Sequence, residues 1–166
     1  MEIFLLFQFG QTQLDIDVER TRAFYDTGKI VCAPCSCAGC RNFAKARAFF
    51  PEEVRQFFQQ LGVDPENPAE ATAFNSNEGN MTLYHAFYHL CGTLLSCGNS
   101  WVEDKPGSFH LELKDVHKLS DNFTIYFAEG CGLVDDDFPR PVVQMEMQFE
   151  IPWLLDESNP YHFNDI

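Results

Sequence analysis

Four cysteines, Cys32, Cys35, Cys37 and Cys40, fall within nine positions of the stretch VCAPCSCAGCRNF. Their spacing, C-x2-C-x-C-x2-C, is two C-x2-C units joined by one residue. Zinc takes about four sulfur or nitrogen ligands in a tetrahedron, and a C-x2-C turn can supply two of them from one loop. One ion holding all four thiols would need a very tight wrap. The spacing therefore favours Cys37 and Cys40 together with one or two of Cys32, Cys35 or a remote group. The remote candidates are His85, His89, Cys91, Cys97 and Cys131. A second chemistry uses the same residues: Cys37 or Cys40 as a reactive thiolate, the other as its resolving partner, and Arg41 or Lys45 lowering the pKa. A third reading has no chemistry in it, because cysteines are small, often buried and able simply to fill a crowded turn.

Charge bears on the first two readings. The chain carries a formal charge of -14, yet residues 27 to 51 hold Lys29, Arg41, Lys45 and Arg47 and no acidic residue. Cationic neighbours and a helix N-terminus both favour thiolate over thiol. The acidic remainder repels phosphate backbones and anionic lipid surfaces, so neither nucleic acid nor membrane is an expected partner. No stretch reaches the roughly 18 to 20 apolar residues of a membrane-spanning helix. MEIFLLFQFGQTQ has Glu2 where a secretion signal carries a cation and lacks a small-residue cleavage site, so it reads as a strand. These features predict a cytoplasmic protein, whose seven cysteines stay reduced and form no secreted disulfide framework.

The elements that would position the thiols follow from periodicity. With 166 residues, 45% of them hydrophobic and 17 of them Phe, the chain can bury a core without metal or disulfide staples, and its length favours one domain. Residues 1–30 read as a β-hairpin, with Leu14, Ile16 and Val18 alternating with Asp15 and Asp17, followed by a short helix ending near Gly28. Residues 31–62 read as the cysteine turn and two helices. The second of these, PEEVRQFFQQLG, has Pro51 at its start, Glu52 and Glu53 in the first turn and Gly62 at the C-terminal cap. Its predicted buried face is Val54, Phe57, Phe58 and Leu61. Residues 63–80 are polar and Pro-rich and read as a loop.

Residues 81–155 read as antiparallel strands. Val143, Met145, Met147 and Phe149 alternate with Gln144, Glu146 and Gln148, and Phe109, Leu111 and Leu113 alternate with His110, Glu112 and Lys114. For 81–97 a helix would set His85 and His89 on one face at i, i+4. A strand puts them roughly 13 Å apart, too far to share an ion. The aromatic row Tyr84, Ala86, Tyr88, Leu90 and the presence of Gly92 favour the strand. The predicted fold class is α+β: an antiparallel sheet or sandwich with a helical segment inserted after the N-terminal hairpin.

CSCAGCRNF, LGVDP, YHAFYHLCG and IPWLLDE together resemble small uncharacterised bacterial proteins that share a C-x-C-x-G-C-R-N-F-like segment, a resemblance that covers most of the chain. It implies no activity and no cofactor; it singles out Cys35, Cys37, Cys40, Arg41 and Asn42. Other signatures are missing from the sequence: there is no phosphate-binding Gly-rich loop, no G-x-S-x-G and no H-E-x-x-H. Asp135, Asp136 and Asp137 lack calcium-loop spacing and read as a solvated acidic turn. The sequence thus points first to a non-enzymatic accessory domain that binds an unknown protein or small molecule, with Cys32, Cys35, Cys37 and Cys40 as candidate ligands of a structural zinc. The alternative is a thiol-dependent redox protein or enzyme using Cys37, Cys40 and Arg41.

Overall fold

The computed structural model describes residues 4 to 162. Phe4–Phe9 (β1) and Thr12–Asp17 (β2) form the expected hairpin, turning at Gly10, whose φ of 55° suits a residue without Cβ. Helix α1, Val18–Tyr25, starts directly where β2 ends: the Asp17 carboxylate accepts the Arg20 N–H at 3.0 Å and caps it. After an irregular segment come α2 (Ala38–Ala46), a short 3-10 turn (Arg47–Phe49) and α3 (Glu52–Leu61). Gly62 closes α3 in the left-handed conformation at φ 76°, as its place in the sequence predicts. Pro51 lies one step outside α3, at the capping position, where its fixed φ leads the chain into the helix.

Six further strands and one exceptionally long one complete the fold. The long strand β4, Met81–Ser96, settles the choice at 81–97 in favour of extended chain. On one edge it pairs antiparallel with β9 (Val142–Pro152) from Met81 to Cys91. On the other it pairs first with β3 (Glu70–Phe74) and then with β2. The sheet continues from β9 to β8 (Phe123–Phe127) and β7 (His117–Ser120), while β5 (Ser100–Lys105) and β6 (Ser108–Glu112) form a separate hairpin. The architecture is α+β, with the helices gathered on one face of an antiparallel sheet rather than a second sheet closing a sandwich.

Alternation decides which face is which. Tyr84, Ala86, Tyr88 and Leu90 of β4 sit opposite Phe149, Met147, Met145 and Val143 of β9, and Phe123, Ile125 and Phe127 of β8 continue the row. All are buried with Leu14 and Ile16 in one contiguous core. The helices cover it through Phe58, whose ring lies 4.8 Å from that of Tyr88, and through Phe43 and Phe50, which meet Tyr84 and Phe149 at 5.8 and 5.5 Å. The opposite face carries His85, Gln144, Glu146 and Tyr126. Among the described residues no helix is long and apolar enough to cross a membrane.

Two sequence expectations need correction. Residues 70–74, placed in a loop by the polar, Pro-rich composition of residues 63–80, form β3 because the edge of β4 supplies its hydrogen bonds; a non-local partner decides this. Phe109 and Leu113, read as one inward face of a half-buried strand, are exposed, because the β5–β6 hairpin stands apart from the main sheet.

Gly92 marks the point where β4 leaves β9 and takes up β2. A Cβ there would lie 2.4 Å from the Asp15 carbonyl oxygen and 3.0 Å from the Ile16 Cα, both backbone atoms that cannot rotate away. Gly92→Ala is therefore expected to lower the unfolding free energy by about 2 kcal/mol through overpacking. A lower urea midpoint at constant m value would register it; an unchanged midpoint would mean that the crossing is not tight.

Candidate metal centre

The irregular segment between α1 and α2 is tethered by few contacts. Asn67 holds it from both sides, donating its side-chain N–H to the Lys29 carbonyl at 2.7 Å and accepting the Val31 N–H at 3.2 Å. Lys29 itself pairs with Asp135 and Asp137 at 2.7 and 2.9 Å, so the acidic turn is anchored to this segment rather than merely solvated. The Lys29 ammonium in turn holds the Asp135 carboxyl below its usual pKa.

The segment ends at Cys37, which takes the N-cap position of α2 with extended φ and ψ of -64° and 159°. Its sulfur accepts the Cys40 N–H at 3.4 Å, as an oxygen does at an ordinary cap. One turn of helix then brings Cys40 back over Cys37, and the bend at Cys37 folds Cys35 toward both. The three sulfurs of Cys35, Cys37 and Cys40 all lie within 4.8 Å of one another. In a tetrahedral zinc site with Zn–S bonds of about 2.3 Å the sulfurs stand about 3.8 Å apart. The trio is thus within a small rotamer adjustment of ligand geometry.

Cys32 is not a member of this cluster, but it lines the same cavity of about 390 Å³, together with Glu70, Thr72, Leu133 and Tyr161. The Cys32 thiol points to the Ala33 carbonyl at 3.6 Å. Among the described residues no other group joins the trio. His85 and His89 lie on the far face of the sheet, Cys91 is buried, and Cys97 and Cys131 point to the carbonyls of Phe127 and Val142. The seven cysteines form no disulfide among the described residues.

Electrostatics separates the thiols. The Cys40 backbone N–H at the helix N-terminus, followed by the thiols of Cys35 and Cys40, lowers the Cys37 pKa to about 7. Burial, then hydrogen bonds to Cys35 and Cys37, pushes Cys40 up to about 12, and burial raises Cys32. One expected source of this activation, Arg41 or Lys45, is engaged elsewhere. Arg41 donates to the Ser36 carbonyl at 3.2 Å and pairs with Glu157 at 2.6 Å, and Lys45 donates to the Leu154 carbonyl at 2.9 Å. The helix N-terminus, the other expected source, lowers the Cys37 pKa together with the neighbouring thiols. In metal-free protein, Cys37 should therefore alkylate fastest of the clustered thiols, its rate rising as pH passes through about 7, while Cys40 lags. Peptide mapping after iodoacetamide pulses over a pH series would show this, and equal rates at the two would contradict it.

Residues outside the cysteines hold the site in place. Asn42, fully buried, donates to the Pro152 carbonyl at 3.2 Å and the Tyr84 hydroxyl at 3.3 Å and accepts the Leu154 N–H at 2.7 Å. The Tyr84 hydroxyl donates to the Gly39 carbonyl at 2.8 Å. A Cβ on Gly39 would meet Ala73 at 2.8 Å and the Tyr161 hydroxyl at 2.9 Å, so glycine lets α2 approach β3 closely. The CRNF and IPWLLDE segments, far apart in sequence, thus meet in one anchor behind the thiols. Sequence reasoning singled out Asn42 without a role, gave Gly39 none beyond its place in the C-x-C-x-G-C-R-N-F-like segment, and passed over Tyr161, which no periodicity or motif marks. Compared with family models, with curated proteins and with solved structures, the chain matches none.

Proposed function

We propose that this protein is a metal-binding accessory domain in which Cys35, Cys37 and Cys40 hold a thiophilic divalent ion, zinc foremost. The observation that carries the reading is the convergence of the three sulfurs within 4.8 Å at the N-terminus of α2. Three thiolates on one ion need a fourth ligand to complete a tetrahedron, and Cys32, on the wall of the same cavity, is the chain's own candidate. The role is structural. The core includes none of Cys32, Cys35, Cys37 and Cys40, whereas the segment from Asp26 to Ser36 has no helix or strand of its own, and a metal would pin it to α2. A domain of this kind serves by presenting a surface to a protein or small-molecule partner.

The lowered pKa of Cys37 favours a second reading, in which Cys37 is a reactive thiolate and Cys40 resolves it. Cobalt(II) titrated into metal-free protein separates the two. The metal-binding reading predicts a sulfur-to-cobalt charge-transfer band that saturates at one ion per chain and is displaced by zinc. The thiol reading predicts no such band, with a Cys37–Cys40 disulfide accumulating under a mild oxidant.

A further inference from the structure

The strand at the edge of a sheet leaves a row of backbone N–H and C=O groups unpaired, and proteins blunt such edges with brevity, a lysine, a proline or a bulge. The main sheet ends at β7 on one side and at β1 on the other. β7 is blunted in three ways: it has four residues, it carries Lys118, and its register slips between Lys118 and Ser120. β1 is blunted in none. FLLFQF has six residues in unbroken register with β2, without proline or charge. In a chain of charge -14, the whole stretch from residue 3 to residue 14 is uncharged.

The turn of the hairpin fixes which groups face outward. Gly10 and Gln11 form a two-residue loop, so Phe9 and Thr12, which flank it, exchange both hydrogen bonds, and the bonding alternates from there along the ladder. Phe9, Phe7 and Leu5 thus direct their backbone groups at β2. Phe4, Leu6 and Gln8 direct theirs outward, and among the described residues no backbone group bonds to them. The rings of Phe7 and Phe9 turn inward to His117, at 5.8 and 5.3 Å, and Phe7 also meets Phe57 at 5.5 Å. Phe4, Leu5 and Leu6 remain 53%, 37% and 60% exposed, an apolar strip along the open edge.

We propose that β1 pairs antiparallel with β1 of a second copy of this chain, the two-fold axis passing at Leu6. The strand is self-complementary in that register: Leu6 faces Leu6 of the second copy and Phe4 faces its Gln8, so every outward N–H and C=O of the three residues gains a partner. Charge permits this approach. Asp17 is buried as the cap of α1, and Asp15 lies opposite Leu6 on β2. Three strand spacings then separate Asp15 from Asp15 of the second copy, about 14 Å, beyond the Debye length of about 8 Å at physiological salt. Assembly stops at two copies, because β7 offers no comparable edge.

Sedimentation of the full chain over a concentration series tests the pairing. A monomer–dimer equilibrium without higher species is expected, tightening as salt screens the repulsion between two acidic copies. Leu6→Lys sets two cations face to face on the axis and should weaken the dimer about 100-fold or more, while each lysine still lies across from Asp15 within its own hairpin. Gln8→Pro removes an outward N–H without touching the ladder to β2 and should weaken it in the same way. The Leu6 amide should exchange slowly with solvent in the dimer and quickly in the dilute monomer. A chain that stays monomeric at millimolar concentration, leaving the edge to a strand of another protein, would overturn the proposal. So would growth past the dimer, or a dimer that folded Leu6→Lys and Gln8→Pro proteins form as tightly as the parent. If neither variant folds, the concentration dependence of exchange at the Leu6 amide decides. Zinc-loaded and zinc-free protein should pair alike, so failure here is distinct from failure at the cysteines.

Discussion

Serine in place of Cys37 is expected to weaken zinc binding on the order of 100-fold or more while leaving the metal-free fold intact. The variant is clean because Cys37 has two jobs that serine divides. As N-cap of α2 its sulfur accepts the Cys40 N–H at 3.4 Å, and a serine oxygen is at least as good an acceptor there. As a ligand it is the member of the trio most ready to lose its proton, with a pKa lowered to about 7, and a serine hydroxyl is a poor substitute for a thiolate on a soft-leaning ion. Competition with a colorimetric chelator measures the affinity, and circular dichroism follows the helix. If Cys37→Ser binds zinc as tightly as the parent protein, Cys37 is not a ligand and the trio is only a turn. If both helix and metal are lost, the capping argument fails.

Asn42→Ala is expected to cost about 3 kcal/mol or more of unfolding free energy. The side chain is completely buried and joins α2 to the end of β9 through two hydrogen bonds and to Tyr84 of β4 through a third. Alanine leaves the Leu154 N–H and the Pro152 carbonyl without this partner, and each unsatisfied buried group costs about 1–3 kcal/mol, to which the space vacated by the amide adds. Asn42→Asp should not rescue it. A carboxylate keeps the acceptor for Leu154 N–H but brings a second oxygen against the Pro152 carbonyl in place of a donor. Denaturant unfolding of the two variants checks the argument; a loss below about 1 kcal/mol in either would show that water enters and replaces the amide.

How much of this was legible in the sequence depended on how local the determinant is. The strict alternation from Val143 to Phe149 gave β9 and its core face, and Gly62 gave the end of α3. The spacing of Cys35, Cys37 and Cys40 gave their proximity, since one helical turn and one tight bend are enough to bring them together. What escaped depends on pairing across the chain. EATAF becomes β3 only because β4 runs beside it, and WVEDK and HKLS become β5 and β7 only through their hairpin partners. The same holds for the open face. His85 and His89 drew attention as ligands, while Tyr126, Gln144 and Glu146 read as nothing more than polar positions on strands, because only the registers of β4, β8 and β9 put them together. Activation of Cys37 or Cys40 was foreseen from a helix N-terminus and from Arg41 or Lys45; the helix N-terminus acts on Cys37, whereas the long side chains reach Ser36, Glu157 and Leu154 instead.

The central claim is that Cys35, Cys37 and Cys40 hold a metal ion, and metal content answers it most directly. Protein purified without chelator would be analysed for metal per chain, with reactive thiols counted before and after a chelator is added. The account predicts one zinc per chain and protection of Cys35, Cys37 and Cys40 that the chelator releases. Protein without metal that takes up none from added zinc, with Cys37 reacting at once, would contradict it and leave the thiol chemistry of Cys37 and Cys40 as the function to pursue.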